Sequence, residues 1–121
     1  MQTLRKALYP HFLMQGMNQQ YRSVEYWNKI LDLDPNNKVI LTRAGDAYRN
    51  TGDYELAQEY YNKALNIEFD IYAVLGLALI SKGQGRYEEA ISSLTRLKQA
   101  DPKNYRLYID LADCYMKLDR K

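Results

Sequence analysis

KVILTRAGDAYRNTGDYELAQEYYNKAL, residues 38–65, reads as two short helices folded back on each other. In its first half Leu41, Ala44, Gly45 and Tyr48 recur at the three- and four-residue steps that line up one helical face. Thr51-Gly52-Asp53 then breaks the pattern. Gly52 suits the left-handed conformation that ends a helix, and Asp53 suits the cap of the next. The second half carries Leu56, Ala57, Tyr60, Tyr61, Ala64 and Leu65, again a helical stripe. Ala44, Gly45, Ala57 and Ala64 matter because two helices approach closely only where side chains are short. A hairpin of this size cannot bury its apolar faces alone, so the sequence predicts neighbours of the same kind.

The neighbours are there. Ala57, Tyr61, Ala64 and Phe69 follow one another at steps of four, three and five. The same steps give Ser23, Trp27, Ile30 and Pro35 upstream and Ala90, Leu94, Leu97 and Pro102 downstream. The first-helix pattern Ala44-Gly45-x-x-Tyr48 recurs as Leu75-Gly76-x-x-Leu79 and as Leu111-Ala112-x-x-Tyr115. A link shortened around Phe69 is nearly offset by the longer turn Gly83-Gln84-Gly85, so the register irregularity is local.

A helix-turn-helix unit of about 34 residues with this small-residue pattern resembles the tetratricopeptide repeat. The resemblance covers the chain from about Ser23 onward. Tyr72-x-x-Leu75-Gly76 and Tyr108-x-x-Leu111-Ala112 fit the aromatic and Leu-Gly positions of the family's first helix, and Leu41-x-x-Ala44-Gly45 fits with smaller residues. The family's closing proline is met at Pro35 and Pro102 but is Phe69 in the middle repeat. The resemblance implies an all-α, right-handed α-solenoid of antiparallel helix pairs. The expected organisation is one domain over 1–121, with repeats 3–36, 37–69 and 70–103 and a partial repeat or capping helix 104–121. About seven helices are expected.

The chain has 121 residues, 46% of them hydrophobic and 26% charged, enough for one folded domain with a modest core. Twelve tyrosines stand against one tryptophan and two phenylalanines. Tyrosine suits thin helical layers, because its ring packs inside while its hydroxyl reaches water. The formal net charge is +2, with signs interspersed, which gives no electrostatic case for nucleic acid or an anionic membrane. No stretch approaches the run of about 18 apolar residues that spans a bilayer. Pro10, His11 and Gln15 interrupt any apolar core of a secretory signal, and the single Cys114 excludes an internal disulfide. These features fit a cytoplasmic protein, and would fit one whose signal had been removed equally well.

In chain order, Leu4, Leu8, Phe12 and Leu13 suggest a first helix, kinked at Pro10 or starting there. A link at Gly16–Tyr21 leads to a second helix from about Gln20 to Leu33. Asp34-Pro35-Asn36-Asn37 is a stop followed by a start, with Asn37 as cap. Asp70 is placed to cap a helix over about Ile71–Lys82, which is apolar nearly all round. Arg86–Gln99 is its partner, and Asp101-Pro102-Lys103-Asn104 repeats the stop-start signal before a last helix over about Tyr105–Leu118.

Chemistry is sparse. His11 has no second His or Cys at ligand spacing, which argues against zinc. Cys114 sits in an apolar helical context with no base near it in sequence, and reads as a small core hydrophobe. Gly83-Gln84-Gly85-Arg86 lacks the Lys-Ser or Lys-Thr and the preceding strand of a phosphate loop. Glu88 and Glu89 suit a helix N-terminus without a catalytic role. No enzyme, metal or cofactor is expected.

The resemblance implies instead a binding scaffold whose concave wall is lined by the first helix of each repeat. Carried onto this sequence, that wall is Thr42, Asp46, Arg49 and Asn50 in the second repeat, and Ala73, Leu77, Ile80 and Ser81 in the third. Arg106, Ile109, Asp113, Met116 and Lys117 supply the fourth. Asp46, Arg49 and Lys117 suit an ordinary solvated face. Leu77 and Ile80, if exposed, suit a contact site. Asp46, with Thr42, Ala73 and Leu77 beside it, disfavours the clamp by which one subfamily grips acidic chaperone tails. The expected partner is a protein or peptide segment with apolar anchors, either an amphipathic helix or an extended peptide. The alternative is a structural or self-assembling unit of a larger repeat protein. RNA binding in the manner of the related pentatricopeptide repeats fits the spacing and near-balanced charge less well. In the last helix, Leu107, Leu111, Cys114 and Leu118 form one apolar stripe, and Tyr108, Ala112 and Tyr115 a second. Two apolar faces predict a fragment of a longer array, or self-association through this helix.

Overall fold

The structure, a computed structural model, describes the backbone of residues 11–119 and the side chains of residues 22–119. Six helices follow one another: α1 His11–Leu33, α2 Lys38–Asn50, α3 Tyr54–Ile67, α4 Ile71–Gly83, α5 Tyr87–Ala100 and α6 Tyr105–Asp119. No strand occurs among the described residues.

The helix ends lie where local chemistry sets them. Asn37 accepts from the Ile40 N–H at 3.2 Å, Asp53 from the Leu56 N–H at 3.4 Å and Asp70 from the Tyr72 N–H at 2.9 Å. Each thereby satisfies a donor that a helix start leaves open. Gly52 and Gly85 take φ of 83° and 80°, the left-handed geometry that turns the chain after α2 and α4.

One expected boundary is absent. The link at Gly16–Tyr21 is not formed: α1 runs unbroken from His11 to Leu33. Residues 16–21 contain no proline, and one glycine inside a helix costs only about 1 kcal/mol relative to alanine, too little to force a turn. The helix count among the described residues is therefore six, where about seven were expected. The kink or start at Pro10 lies outside the described residues.

The chain divides into two compact units, Met1–Glu68 and Phe69–Lys121. The division falls within a residue of the repeat boundary read from the sequence. In the first unit α2 packs against both α1 and α3. Val24, Leu41, Ala44, Ala47, Tyr48, Ala57, Tyr61 and Ala64 are buried there. Gly45 marks the closest approach. A Cβ on it would stand 2.7 Å from Cε1 of Tyr61, inside van der Waals contact, so the buried tyrosine ring occupies the space a side chain would take. Tyr48 stacks on Tyr60 with ring centroids 5.3 Å apart, and Tyr60 donates to Asn28 of α1 at 3.0 Å. Lys38 and Glu68 close the α2–α3 hairpin by an exposed ion pair at 3.1 Å, which adds little stability.

In the second unit α5 packs against α4 and α6. Its core is Ala78, Ala90, Leu94, Leu97, Leu107, Leu111 and Cys114, with Ile71, Val74, Leu75, Tyr87 and Ile91 packed around it. Of the expected stripe on α6, Leu107, Leu111 and Cys114 are buried and Leu118 is half-buried. Burial pushes the Cys114 thiol pKa up, as befits a core residue rather than a nucleophile.

Candidate protein-interaction surface

In the first unit the outward residues of α2 are held by a buried anchor. Tyr61, wholly buried on α3, donates its hydroxyl to Asp46 Oδ1 and accepts from Arg49 Nε at 3.1 Å. Arg49 also meets Asp46 at 3.5 Å. Burial disfavours the Tyr61 phenolate, and the bond to Asp46 favours the neutral phenol further, so its pKa is raised well above the ordinary value. Burial opposes the charge on Arg49, but its bond to Tyr61 and the nearby Asp46 more than offset this, and its pKa is also raised. Two surface charges are in this way fixed in place before any partner arrives.

Beside them lies a groove of about 150 Å³, lined by Ser23 and Trp27 of α1 and by Arg43, Asp46, Ala47 and Asn50 of α2. Arg43 and Asn50 are exposed, and Trp27 is half-buried. The groove therefore offers an aromatic wall, a cation, a carboxylate and an amide within one recess.

In the second unit the charges gather where α4 ends. Lys82 donates to Asp110 at 3.0 Å and to Asp113 at 2.9 Å, both on α6. Asp110 is almost wholly buried, and its other oxygen meets Arg106 Nε at 3.5 Å. Burial opposes the Lys82 charge, but the two carboxylates outweigh it and raise the pKa. Farther round α6, Ile109 and Met116 stand 60% and 55% exposed. Arg106 and Lys117 are exposed near them.

The residues expected on the wall thus divide. Asp46, Arg49, Asn50, Arg106, Ile109, Asp113, Met116 and Lys117 are exposed or half-exposed, and Leu77 is half-buried. Thr42, Ala73, Ile80 and Ser81 are buried and are not available to a partner. Ile80, expected with Leu77 as an apolar contact site, is instead core, wholly enclosed. The cause is local. α4 is apolar nearly all round, so periodicity carries no contrast by which to tell its inner faces from an outer one. Trp27, Arg43 and Lys82 were missed. Arg43, Asp46 and Asn50 stand at steps of three and four on α2, a signal open to reading. Trp27 reads as inward from its repeat register and is only partly so.

Among the described residues no group of three or more His, Cys, Asp or Glu is placed to hold a metal, and no helix is long and apolar enough to cross a membrane.

Comparison with known proteins bears on the repeat directly. The tetratricopeptide repeat family is matched twice, over residues 40–71 and 82–121. Superkiller protein 3 of Schizosaccharomyces pombe is 25% identical over 99 residues, which span 81% of this chain and 7% of that protein. Small glutamine-rich tetratricopeptide repeat-containing protein 2 of Mycosarcoma maydis is 30% identical over 85 residues, 68% of this chain and 24% of that one. The chain thus spans under a quarter of the length of each of these relatives. A solved tetratricopeptide repeat protein from Parabacteroides merdae superposes with a TM-score of 0.75 at 24% identity, covering 88% of this chain and 42% of its own. Two separate family matches, the small-residue register and an all-helical fold of paired helices agree: the chain belongs to the tetratricopeptide repeat family, a protein–protein interaction repeat.

Proposed function

We propose that the chain is a non-enzymatic binding module that takes up a short segment of another protein on the outward face of a helix pair, at the α1–α2 groove of the first unit or on α6 of the second. The observation that carries this is the α1–α2 groove, where Trp27 lies beside Arg43, Asp46 and Asn50. Trp and Arg are enriched among the side chains that dominate interface energies. A carboxylate already fixed by Tyr61 costs less to order when a partner docks. On α6, Ile109 and Met116 offer apolar contacts and Arg106 and Lys117 a charged rim, which suits a segment with apolar anchors. Cytoplasmic residence belongs to the same proposal.

A peptide-display selection against the intact chain tests it. A recovered peptide is titrated against wild type, Arg43→Glu and Met116→Glu, each first checked for unchanged helical signal. The proposal expects affinity to fall about tenfold or more in at least one variant, the loss of one sizeable interface contact. Equal affinity in all three contradicts it.

The exposed aromatic face of α6 favours a second reading, a unit that assembles with its own kind.

A further inference from the structure

The first unit has a second groove, of about 440 Å³, formed by α1, α2 and α3. With about 3.6 residues per turn, its floor residues Leu41 and Tyr48 stand across α2 from Arg43, Asp46 and Asn50 of the first groove. Its walls are one face of α1, with Asn28, Leu31 and Asp32, and one face of α3, with Leu56, Tyr60 and Lys63. The volume falls within the range of about 300–1,000 Å³ typical of ligand clefts, which suits a few residues of a chain rather than a folded surface.

Three features describe what fits there. Leu31 and Leu56 are only half-buried, so the walls hold apolar surface still open to an aliphatic side chain. Asn28 accepts the Tyr60 hydroxyl on its Oδ1 at 3.0 Å. That bond fixes the amide and leaves its N–H donors unbonded among the described residues. Such donors match a backbone carbonyl of an extended segment, whereas a helix uses its carbonyls internally. Finally, Asp32 on α1 and Lys63 on α3 are exposed, and neither belongs to an ion pair among the described residues. Neither takes the opposite charge one turn away on its own helix, Lys29 for Asp32 and Glu59 for Lys63. Lys63 rests instead over the Tyr60 ring, 5.1 Å from its centroid. One wall is therefore negative and the other positive.

We infer that this groove binds a short extended segment of another protein, in which an aliphatic residue stands between a basic and an acidic one. The aliphatic side chain enters between Leu31 and Leu56, and a backbone carbonyl accepts from the Asn28 amide. The basic residue meets Asp32 and the acidic one meets Lys63. A segment charged with one sign alone is disfavoured, because one wall would repel it. This site is separate from the surfaces proposed above: it uses another face of the first unit and other side chains.

The experiment titrates the intact chain with three arrays of short capped peptides. In each an aliphatic residue is flanked within two positions by Lys and Glu in either order, by Glu on both sides, or by Lys on both. The inference expects the mixed-charge peptides to bind best, by about tenfold, the worth of one modest charge contact. Asp32→Lys should move the preference to peptides with Glu on both sides, and Lys63→Glu to those with Lys on both. Both positions are exposed, so helical signal and melting, checked first, should be unchanged. Arg43→Glu, across α2, should leave every affinity as it was. A wild type that binds none of the arrays, or all of them equally, overturns the inference. So does a preference that Asp32→Lys and Lys63→Glu leave in place. A preference that Arg43→Glu alone abolishes overturns this site and upholds the α1–α2 groove instead.

Discussion

Gly45 is the residue at which the first unit has least room. A methyl there would lie 2.7 Å from Tyr61 Cε1, and the ring cannot simply swing aside because Asp46 and Arg49 hold its hydroxyl. Gly45→Ala should therefore cost about 1–3 kcal/mol, the range for overpacking a filled core, read as a lower melting temperature. An unchanged melt would mean that the ring yields freely. Tyr61 also sets a pH dependence. Burial favours the neutral phenol, so the folded chain holds the protons of Tyr61 and of Tyr60, whose pKa is pushed up to about 12, more tightly than the unfolded chain does. Their contribution to stability is fully present below the unfolded value of about 10 and is lost as pH rises through the folded values. The melting temperature should hold on the neutral side of about pH 10 and fall beyond it. Tyr61→Phe, which lacks one of these protons, should show a shallower fall. At this scale the sequence was partly legible. The small residues at 44, 45, 57 and 64 announced a close helix crossing, but no periodicity could reveal that Asp46 and Arg49, four and one positions from Asn50, share one buried hydroxyl.

Helix boundaries were legible because their causes are local. Asn37, Asp53 and Asp70 cap by reaching two or three residues along their own chain. Gly52 turns the chain for want of a side chain. Which face of a helix stays open is decided by other helices, and there legibility ended. α4 carries apolar residues on every side, so Ile80 and Ala73 could be placed inward only once the fold was in view. The unbroken α1 shows the complementary failure, since a weak breaker such as Gly16 loses to the length of a continuous helix. Two predictions belong here. Ala57 is wholly buried where α3 packs on α2. Ala57→Arg should cost about 3 kcal/mol or more, through overpacking or a buried charge, and unfold the first unit. A melt like wild type would remove Ala57 from the core. Between α4 and α6, Lys82 neutralises the buried Asp110. Lys82→Met should cost about 1–3 kcal/mol, because it leaves Asp110 with only the longer contact to Arg106. Adding Asp110→Asn should recover part of that loss. A denaturant series on the single and double variants checks both statements, and no recovery in the double variant would count against the pairing.

At the scale of the molecule, the two units present different surfaces built by the same helix-pair rule. The first offers a groove with an aromatic wall and fixed charges, the second an apolar and aromatic face along α6. The relatives it resembles are several times longer, and such repeats act by stacking one on another. If apolar anchors carry partner binding, affinity should change little between low and physiological salt, because few like charges line the exposed wall and screening has little to remove. A steep loss would instead point to Arg49, Arg106 and Lys117 gripping an acidic ligand. The most direct measurement is an amide-resolved NMR titration of the intact chain with a display-selected peptide. The account predicts that shift changes concentrate around Arg43, Asp46 and Asn50 on α2 or around Ile109 and Met116 on α6, with α3 and α5 little changed. Changes centred on the outer faces of α3 and α5, with α2 and α6 silent, would contradict it.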